Sequence, residues 1–150
     1  MTKTIVITEA SSGIGEATAK FFAKKGWQVA ATMWRPEKET DLSQLANIKV
    51  FKLDVTDSFS IQKAFLEIKE EYKTIDCLLN NAGYALFGPL ELSSEEQIRR
   101  AYDTLSLGVT FVTKQFIPLL RENGGGSIIT ISSVGGVLTL PLTATYHAAK

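Results

Sequence analysis

The sequence predicts an α/β fold in which a parallel sheet carries helices on both faces. Two observations support this prediction: short apolar segments of strand length alternate with longer segments of helix length, and polar residues follow several of the apolar segments. Five strands separated by helices imply a parallel sheet between two helical layers. Sheets of this kind bind ligands beyond the carboxyl ends of their strands.

The predicted strands are short and mostly apolar. Their bounds are 3–8, 27–33, 48–53, 75–80 and 127–132. Thr8, Asn80 and Ser132 fall at strand ends, where a ligand is expected. Because the sequence shows no internal repeat, low-complexity tract or interdomain linker, residues 1–150 are predicted to form one domain.

The first predicted helix spans residues 13–25 and ends at Gly26, a residue typical of helix ends. One side of this helix is predicted to be apolar through Ile14, Ala17, Phe21 and Phe22. The polar segment 35–47 predicts only a short helix or a loop.

Three further helices follow in the prediction. One begins at Asp57 or Ser58, either of which can act as the N-cap, and runs to Tyr72. Ser93 and Glu96 predict a capping box that opens a long helix ending near residue 121, before the glycines at 124–126. The last helix begins near residue 143.

Composition excludes several classes of protein. The 150 residues suffice for one hydrophobic core, and 16 basic residues balance 16 acidic ones, so a strongly basic nucleic-acid surface is not expected. No apolar run approaches the ~18 residues of a membrane helix. The one cysteine, Cys77, excludes an internal disulfide, and one histidine beside it argues against a zinc site. We therefore expect a cytoplasmic protein without a metal, nucleic-acid or membrane partner.

A glycine-rich turn lies between the first strand and the first helix. Its sequence is Thr8-Glu9-Ala10-Ser11-Ser12-Gly13-Ile14-Gly15. Glycines at such a turn let the backbone approach a pyrophosphate, whose charge then lies at the positive end of the helix. The spacing differs from the G-x-G-x-x-G fingerprint. An ordinary strand-to-helix turn is the alternative interpretation.

Tyr146 and Lys150 are four residues apart and therefore share one face of a helix. An ammonium beside a phenol favours the phenolate, so a group whose free pKa is near ~10 can exchange protons closer to neutrality. Such a pair can act as a general acid and base. The spacing alone is weak support, but Ser133 follows the fifth strand, thirteen residues before Tyr146.

Over its whole length the chain is similar to the short-chain dehydrogenase/reductase family. The glycine turn resembles T-G-x-x-x-G-x-G, and residues 80–83 resemble the family's N-N-A-G. Residues 53–56, and residues 131–133 followed by Tyr146 and Lys150, resemble two further family segments. Each segment alone has an ordinary interpretation as a turn, cap or loop hydroxyl. The resemblance implies a Rossmann-like, doubly wound sheet with strand order 3-2-1-4-5, incomplete at its C-terminal side because the chain stops within the catalytic helix.

The resemblance also implies an NAD(P)-dependent oxidoreductase that moves hydride between nicotinamide and a small carbonyl or alcohol substrate. Tyr146 would be the acid/base, Ser133 would orient the substrate oxygen, and Lys150 would lower the tyrosine pKa and bind the nicotinamide ribose. The cofactor-binding residues so implied are Thr8, Ser11, Ser12, Gly13, Ile14, Gly15, Arg35, Asp54, Asn81, Ala82 and Gly83. A full-length form is compatible with a homo-oligomer, and the substrate is not specified.

The end of the second strand favours NADP over NAD. An acidic residue there would bind the ribose 2′-hydroxyl of NAD, whereas this chain has Trp34 and Arg35. Arg35 can pair with a 2′-phosphate, and Ser11 or Ser12 can donate to it. Trp34 stands where NADP-using family members often carry a basic residue, and Arg35 has an alternative interpretation as a solvated loop charge.

Two substitutions depart from the family pattern. Glu9 replaces the first glycine of the turn, so its carboxylate is expected to weaken phosphate binding, and a positive φ there would add strain. Leu105 stands where the family has an asparagine that holds a catalytic water. Ser106 is adjacent, but one helical step turns it by about 100°, so only a local bulge would bring it into that position.

The C-terminal segment motivates a second hypothesis. A two-turn helix ending at Lys150 is expected to fray, and the fifth strand is expected to be an uncovered edge. His147 is expected to point away from Tyr146 and to lie at the surface. The alternative is therefore a truncated or degenerate relative that binds dinucleotide weakly or serves only in assembly.

A methyltransferase would need an acidic residue at the end of the second strand, which is absent.

Overall fold

The computed structural model describes residues 2–150 and contains one parallel sheet of five strands in the order β3-β2-β1-β4-β5. The strands are β1 Thr4–Ile7, β2 Gln28–Met33, β3 Ile48–Lys52, β4 Cys77–Asn80 and β5 Ser127–Thr130. Every adjacent pair is parallel, so the predicted fold class and strand order are confirmed. The winding reverses between β1 and β4, which places the sheet's ligand-binding crevice at their carboxyl ends.

Helices cover both faces of the sheet. They are α1 Gly13–Lys24, α2 Ser58–Tyr72, α3 Glu95–Tyr102, α4 Val109–Glu122 and α5 Ala144–Ala149. A π-helical turn, Asp103–Gly108, joins α3 to α4 without a break. The uncertain segment 35–47 forms two 3₁₀ turns, Pro36–Lys38 and Leu42–Gln44. In the described residues, no helix is long and apolar enough to cross a bilayer.

The core lies on both sides of β1, whose side chains alternate between two clusters. Val6 belongs to the cluster that includes α2 and α4 residues, whereas Ile5 and Ile7 belong to the cluster on the α1 side. All three are fully buried, which explains why a central parallel strand is a continuous apolar run. Each such side chain stabilises the fold by about 1.5–3 kcal/mol through burial.

The predicted apolar side of α1 is only partly correct, because Phe22 alone of the four residues packs against the core. Ile14 is 61% exposed and Phe21 is 56% exposed, Ala17 is also exposed, and the buried residues of the helix are Gly15 and Ala19. A Cβ at position 15 would lie 2.3 Å from the Glu9 carbonyl oxygen. The close approach of the helix to the preceding turn therefore sets its rotation, and its smallest residues face inward.

The predicted capping box is displaced by one residue. The Ser94 hydroxyl accepts from the Gln97 N–H at 3.1 Å, and the Gln97 side-chain oxygen accepts from the Ser94 N–H at 2.9 Å. Ser93 instead ends the preceding 3₁₀ turn. Asp57 caps α2 as predicted, accepting from the Phe59 N–H at 2.9 Å.

Candidate active site

A cleft crosses the carboxyl ends of the strands and consists of two adjoining cavities of about 760 and 360 Å³. Glu9 and Tyr84 line both cavities, so they mark the junction. The larger cavity is lined by Trp34 and Asp54 among others. The smaller one is lined by Ser12, Gly13, Asn81, Ser132, Tyr146 and Lys150. The fold therefore brings the glycine turn and the tyrosine–lysine pair into one continuous groove.

Thr8 and Asn81 join the glycine turn to the end of β4. The buried Thr8 hydroxyl accepts from the backbone N–H groups of Asn81, at 2.8 Å, and Ala82, at 2.9 Å. The Asn81 side chain donates to the Thr8 and Glu9 carbonyl oxygens, both at 3.0 Å. Hydrogen bonds thus join the predicted site residues Thr8, Asn81 and Ala82 where the winding of the sheet reverses.

The glycine turn leaves open space above the start of α1. Gly13 has a φ of +57°, and a Cβ built on it would meet nothing within 4 Å. Ser11 and Ser12 are exposed, and the Ser12 side chain makes no capping hydrogen bond within the described residues. The first N–H groups of this helix are consequently available to an anion, which the helix dipole favours.

Glu9 lies in the cleft with a φ of +53°, in the left-handed region. The sequence predicts strain at Glu9 if its φ is positive, and the φ is positive. Left-handed backbone costs a residue with a side chain about 1–2 kcal/mol. Its exposed carboxylate stands at the junction of the two cavities, beside the helix end that favours an anion. One negative charge in the groove thus opposes the electrostatics of the glycine turn.

Lys150 makes a hydrogen bond to the backbone just after β5. Its ammonium donates to the Ile131 carbonyl oxygen at 2.9 Å and lies 6.0 Å from the centroid of the Tyr146 ring. Both side chains are half-buried. The lysine side chain is thus attached to the backbone that follows β5. This hydrogen bond does not depend on helix residues after Lys150.

The two serines after β5 have different surroundings. Ser132 lines the smaller cavity together with Tyr146. The Ser133 hydroxyl oxygen accepts from the Gly135 N–H at 3.0 Å and begins the 3₁₀ turn Val134–Gly136. Ser133 is half-buried and does not line the cavity. The structure thus brings Ser132, rather than the predicted Ser133, directly to the cavity wall.

The π-helical turn puts Leu105 against the candidate catalytic helix. Leu105 is 6% exposed and packs in a small cluster with Ala149 and Tyr146. The Ser106 hydroxyl donates to the Ala149 carbonyl oxygen at 2.6 Å. The bulge that the sequence left open is therefore present, but it links Ser106 to the helix backbone and leaves an apolar side chain near Lys150.

Near Lys150, the packing is close. A Cβ on Gly83 would lie 3.0 Å from a Leu105 methyl group and 3.6 Å from the Lys150 ammonium. Gly83 therefore keeps β4's following loop near both side chains. A Cβ at position 83 would therefore displace the Leu105 methyl group, while its contact with the Lys150 ammonium would be an ordinary one.

Of the residues predicted at the nucleotide end, Trp34 and Asp54 line the larger cavity, whereas Arg35 lines neither cavity. The Arg35 guanidinium stacks on the Trp34 indole ring, 4.1 Å from the centroid. One of the Asp54 carboxylate oxygens accepts from the Thr56 N–H at 2.9 Å and hydroxyl at 2.7 Å. The interpretation of Asp54 as a turn former therefore holds alongside its position in the cavity.

The walls of the larger cavity carry more acidic than basic side chains. Its charged residues are Glu9, Asp54, Glu95, Glu96, Asp103, Arg99 and Arg100. Arg99 pairs with Glu95 at 2.7 Å. Of the two arginines in the cavity wall, Arg99 therefore already has an acidic partner.

His147 is a residue whose position the sequence did not predict. It is half-buried, and both ring nitrogens have partners in the preceding loop, so the expected surface position is wrong. The partners lie seven and twelve residues away along an irregular loop, and no periodic pattern reports such contacts.

Comparisons with known proteins found similar sequences and structures. The sequence model of a family described as short chain dehydrogenase matches residues 3–150. A 3-ketodihydrosphingosine reductase of Bacteroides thetaiotaomicron is 36% identical over 146 residues, covering 97% of this chain and 52% of that protein. A solved short-chain dehydrogenase from Streptomyces avermitilis superposes with a TM-score of 0.95 at 33% identity, covering 100% of this chain and 56% of the other.

A second solved structure, ElxO with NADP bound, superposes with a TM-score of 0.91 at 30% identity. That match covers 99% of this chain and 62% of the other. The chain spans about half the length of the curated relatives that it matches.

Proposed function

Because this chain belongs to the short-chain dehydrogenase family, a family of oxidoreductases, we propose that residues 1–150 form a domain that binds NADP and supports hydride transfer to a small carbonyl substrate. One observation carries the proposal: a single groove runs from the glycine turn to Tyr146 and Lys150. The activity of the whole protein is inferred from this groove.

The residues of the groove fit a dinucleotide in shape. The open space over Gly13 and the uncapped start of α1 suit a pyrophosphate, which the helix dipole attracts. Ser11, Ser12, Ile14 and Gly15 complete that turn, Asn81 and Gly83 line the same cavity, and the buried Thr8 supports them through its hydrogen bond to Asn81. The charge of Glu9 and the acidic excess of the larger cavity do not fit an anionic ligand. We therefore expect weakened binding rather than no binding.

We assign NADP rather than NAD as the preferred cofactor. No carboxylate follows β2 to bind a ribose 2′-hydroxyl, and Arg35 beside Trp34 supplies a cation that can pair with a 2′-phosphate. Asp54, in the same cavity, would contact the adenine end. The structurally similar ElxO was solved with NADP bound, which supports the same choice.

In this proposal the protein's own groups control a proton at the substrate oxygen. The dinucleotide, when bound, supplies the hydride that the carbonyl carbon receives. Tyr146 donates its phenolic proton to the carbonyl oxygen and takes it back in the reverse direction. The Lys150 ammonium, 6.0 Å from the centroid of the Tyr146 ring, would bind the nicotinamide ribose. Ser133 donates a hydrogen bond that orients the substrate oxygen.

Titration with NADPH, followed by the quenching of tryptophan fluorescence, tests the binding step. We expect saturable quenching, with NADPH binding more tightly than NADH. Ser12→Asp should weaken binding, because it puts a carboxylate at the start of α1, whereas Ser58→Asp adds the same charge at the start of α2, outside both cavities. Equal effects of the two variants, or no quenching at millimolar NADPH, would refute the proposed site.

The catalytic roles need a separate measurement. With carbonyl compounds as oxidants of NADPH, Tyr146→Phe should abolish turnover and leave NADPH affinity unchanged, because the phenol acts on the substrate oxygen. Ser133→Ala should lower kcat, and Ser132→Ala is its matched control. A larger loss in Ser132→Ala would transfer the positioning role to the serine that lines the cavity.

A binding-only role is the second candidate, and the surroundings of Leu105 favour it. Leu105 is buried against the candidate catalytic helix in place of a polar side chain. If wild-type protein binds NADPH but oxidises none of it with any carbonyl compound, and Leu105→Asn restores turnover, the binding-only role is correct for this chain.

A further inference from the structure

His147 connects α5 to the loop that precedes it through both nitrogens of its ring. Nδ1 lies 2.7 Å from the Gly135 carbonyl oxygen, and Nε2 lies 2.7 Å from the Leu140 backbone nitrogen. Thr143 adds a third contact, its hydroxyl lying 2.5 Å from Nε2 and 2.7 Å from the Leu140 carbonyl oxygen. One half-buried side chain thus ties both ends of the loop to the helix that carries Tyr146.

The partners determine which ring nitrogen carries the proton. The Leu140 N–H can only donate, so Nε2 must accept and is unprotonated. The Gly135 carbonyl oxygen can only accept, so Nδ1 carries the hydrogen. The neutral Nδ1–H tautomer therefore satisfies both of these contacts, whereas the Nε2–H tautomer could donate only to the Thr143 hydroxyl. With Nδ1 protonated, the single hydrogen of the Thr143 hydroxyl goes either to Nε2 or to the Leu140 carbonyl oxygen, not to both.

Gly135 relays this contact to Ser133. Its carbonyl oxygen accepts from His147, and its N–H donates to the Ser133 hydroxyl oxygen at 3.0 Å. A Cβ at this glycine would lie 2.9 Å from His147 Nδ1 and 3.0 Å from a ring carbon of Tyr146, so the backbone passes tightly beneath both rings. A chain of contacts therefore runs from the helix of Tyr146, through His147 and Gly135, to Ser133.

The relay also affects what the serine hydroxyl can do. Because its oxygen already accepts from the Gly135 N–H, its hydrogen remains available to a substrate oxygen. A shift of Gly135 would move the oxygen and redirect that hydrogen. In a positioned site, displacements of about 1 Å can cost on the order of a hundredfold in rate.

We propose that His147 is a positioning residue that sets Ser133 relative to Tyr146 through Gly135. The inference rests on the proposed function, in which Ser133 orients the substrate oxygen. Both ring nitrogens of His147 are already engaged by the loop, so it acts without touching substrate or cofactor. Its role is separate from that of Lys150, which is fixed by Ile131.

Two isosteric variants separate the contacts of His147. In His147→Asn the amide nitrogen occupies the position of Nδ1 and can donate to Gly135. In His147→Gln the amide oxygen reaches the position of Nε2 and can accept from Leu140. We expect His147→Ala to lower kcat by about tenfold to a hundredfold with unchanged NADPH affinity. The His147→Asn variant should retain most of the kcat that His147→Ala loses, and the His147→Gln variant should retain little of it.

A double-mutant cycle tests whether His147 acts through the serine. If it does, His147→Ala should have little further effect on kcat in a Ser133→Ala background. Full additivity of the two losses would overturn the proposal and leave His147 as a stabiliser of the loop alone. Rescue by Gln but not by Asn would overturn it equally, because the Leu140 contact would then be the one that matters.

Nuclear magnetic resonance supplies a readout that does not depend on turnover. The wild-type His147 ring should show a protonated Nδ1 and a pyridine-type Nε2, and the Gly135 amide should exchange slowly. That protection should fall in His147→Ala and Gln but persist in Asn. A protonated Nε2, or an unaltered Gly135 amide in all three variants, would refute the relay. If the wild type neither binds NADPH nor turns over, the proposed function fails, and the Gly135 amide still decides the relay.

Discussion

Replacing Glu9 should strengthen dinucleotide binding through a change at one charge. Glu9 is exposed at the junction of the two cavities, next to the start of α1. For a carboxylate ~5 Å from a phosphate charge, Coulomb's law gives about 3 kcal/mol at an effective dielectric near 20, and under ~1 kcal/mol with full water screening. Glu9→Gln should therefore tighten NADPH binding by roughly fourfold to a hundredfold.

A glycine at this position should have a second, separate effect on the free energy of unfolding. The φ of +53° costs a residue with a side chain about 1–2 kcal/mol. Glycine removes that cost but loses about 0.4–1 kcal/mol through the greater freedom of the unfolded chain. Glu9→Gly should therefore raise stability by up to ~1.5 kcal/mol, whereas Glu9→Gln should leave the backbone strain in place.

The assay is a fluorescence titration with NADPH at two ionic strengths, paired with urea unfolding of the same proteins. Glu67→Gln is the matched control, because it removes the same charge from α2, outside both cavities. The gain from Glu9→Gln should shrink as salt rises, since the Debye length falls from about 30 Å at 0.01 M to about 3 Å at 1 M. If Glu9→Gln binds no tighter than Glu67→Gln, the electrostatic account is wrong, and if Glu9→Gly is no more stable than Glu9→Gln, the strain account is wrong.

Two further predictions concern stability. Ser106→Ala removes the 2.6 Å hydrogen bond to Ala149 and should lower the free energy of unfolding, measured in urea, by about 1–2 kcal/mol. Thr110→Ala, which removes an exposed hydroxyl from the continuous helix, should lower it less. Equal losses would contradict a special anchoring role for Ser106. Burial, with the nearby negative charge of Glu71, raises the pKa of Tyr72 to about 12, while its hydroxyl donates to Val29. Since this pKa lies above the unfolded value near ~10, the stability that Tyr72 contributes is complete below pH ~10 and is lost as pH rises through about 12. Melting curves of Tyr72→Phe should show a smaller loss of stability at alkaline pH than those of the wild type. An identical loss in both proteins would refute the contribution of Tyr72.

Local patterns were sufficient for the strands, their parallel arrangement and the ligand-binding edge, whereas the strand order was implied by the family resemblance. Strands such as β1 are continuous apolar runs because both faces are buried, and strict alternation with helices implies their parallel arrangement. The rotation of α1 was not predictable in the same way. The largest apolar residues, Ile14 and Phe21, suggested the buried side, but close packing against the glycine turn selected Gly15 and Ala19.

The sequence by itself determined which candidate site residues follow each strand. These are a glycine turn after the first strand, asparagines at the end of the fourth, and a tyrosine and a lysine one helical turn apart. These depend on neighbours in the chain, so residue type and spacing carry the information. Only the tertiary structure decided the left-handed φ of Glu9, the π-helical turn that joins Ser106 to Ala149, and the contacts of His147 with its loop. Those features arise from groups far apart in sequence that must satisfy hydrogen bonds within one closely packed edge, and no local pattern encodes where such groups meet.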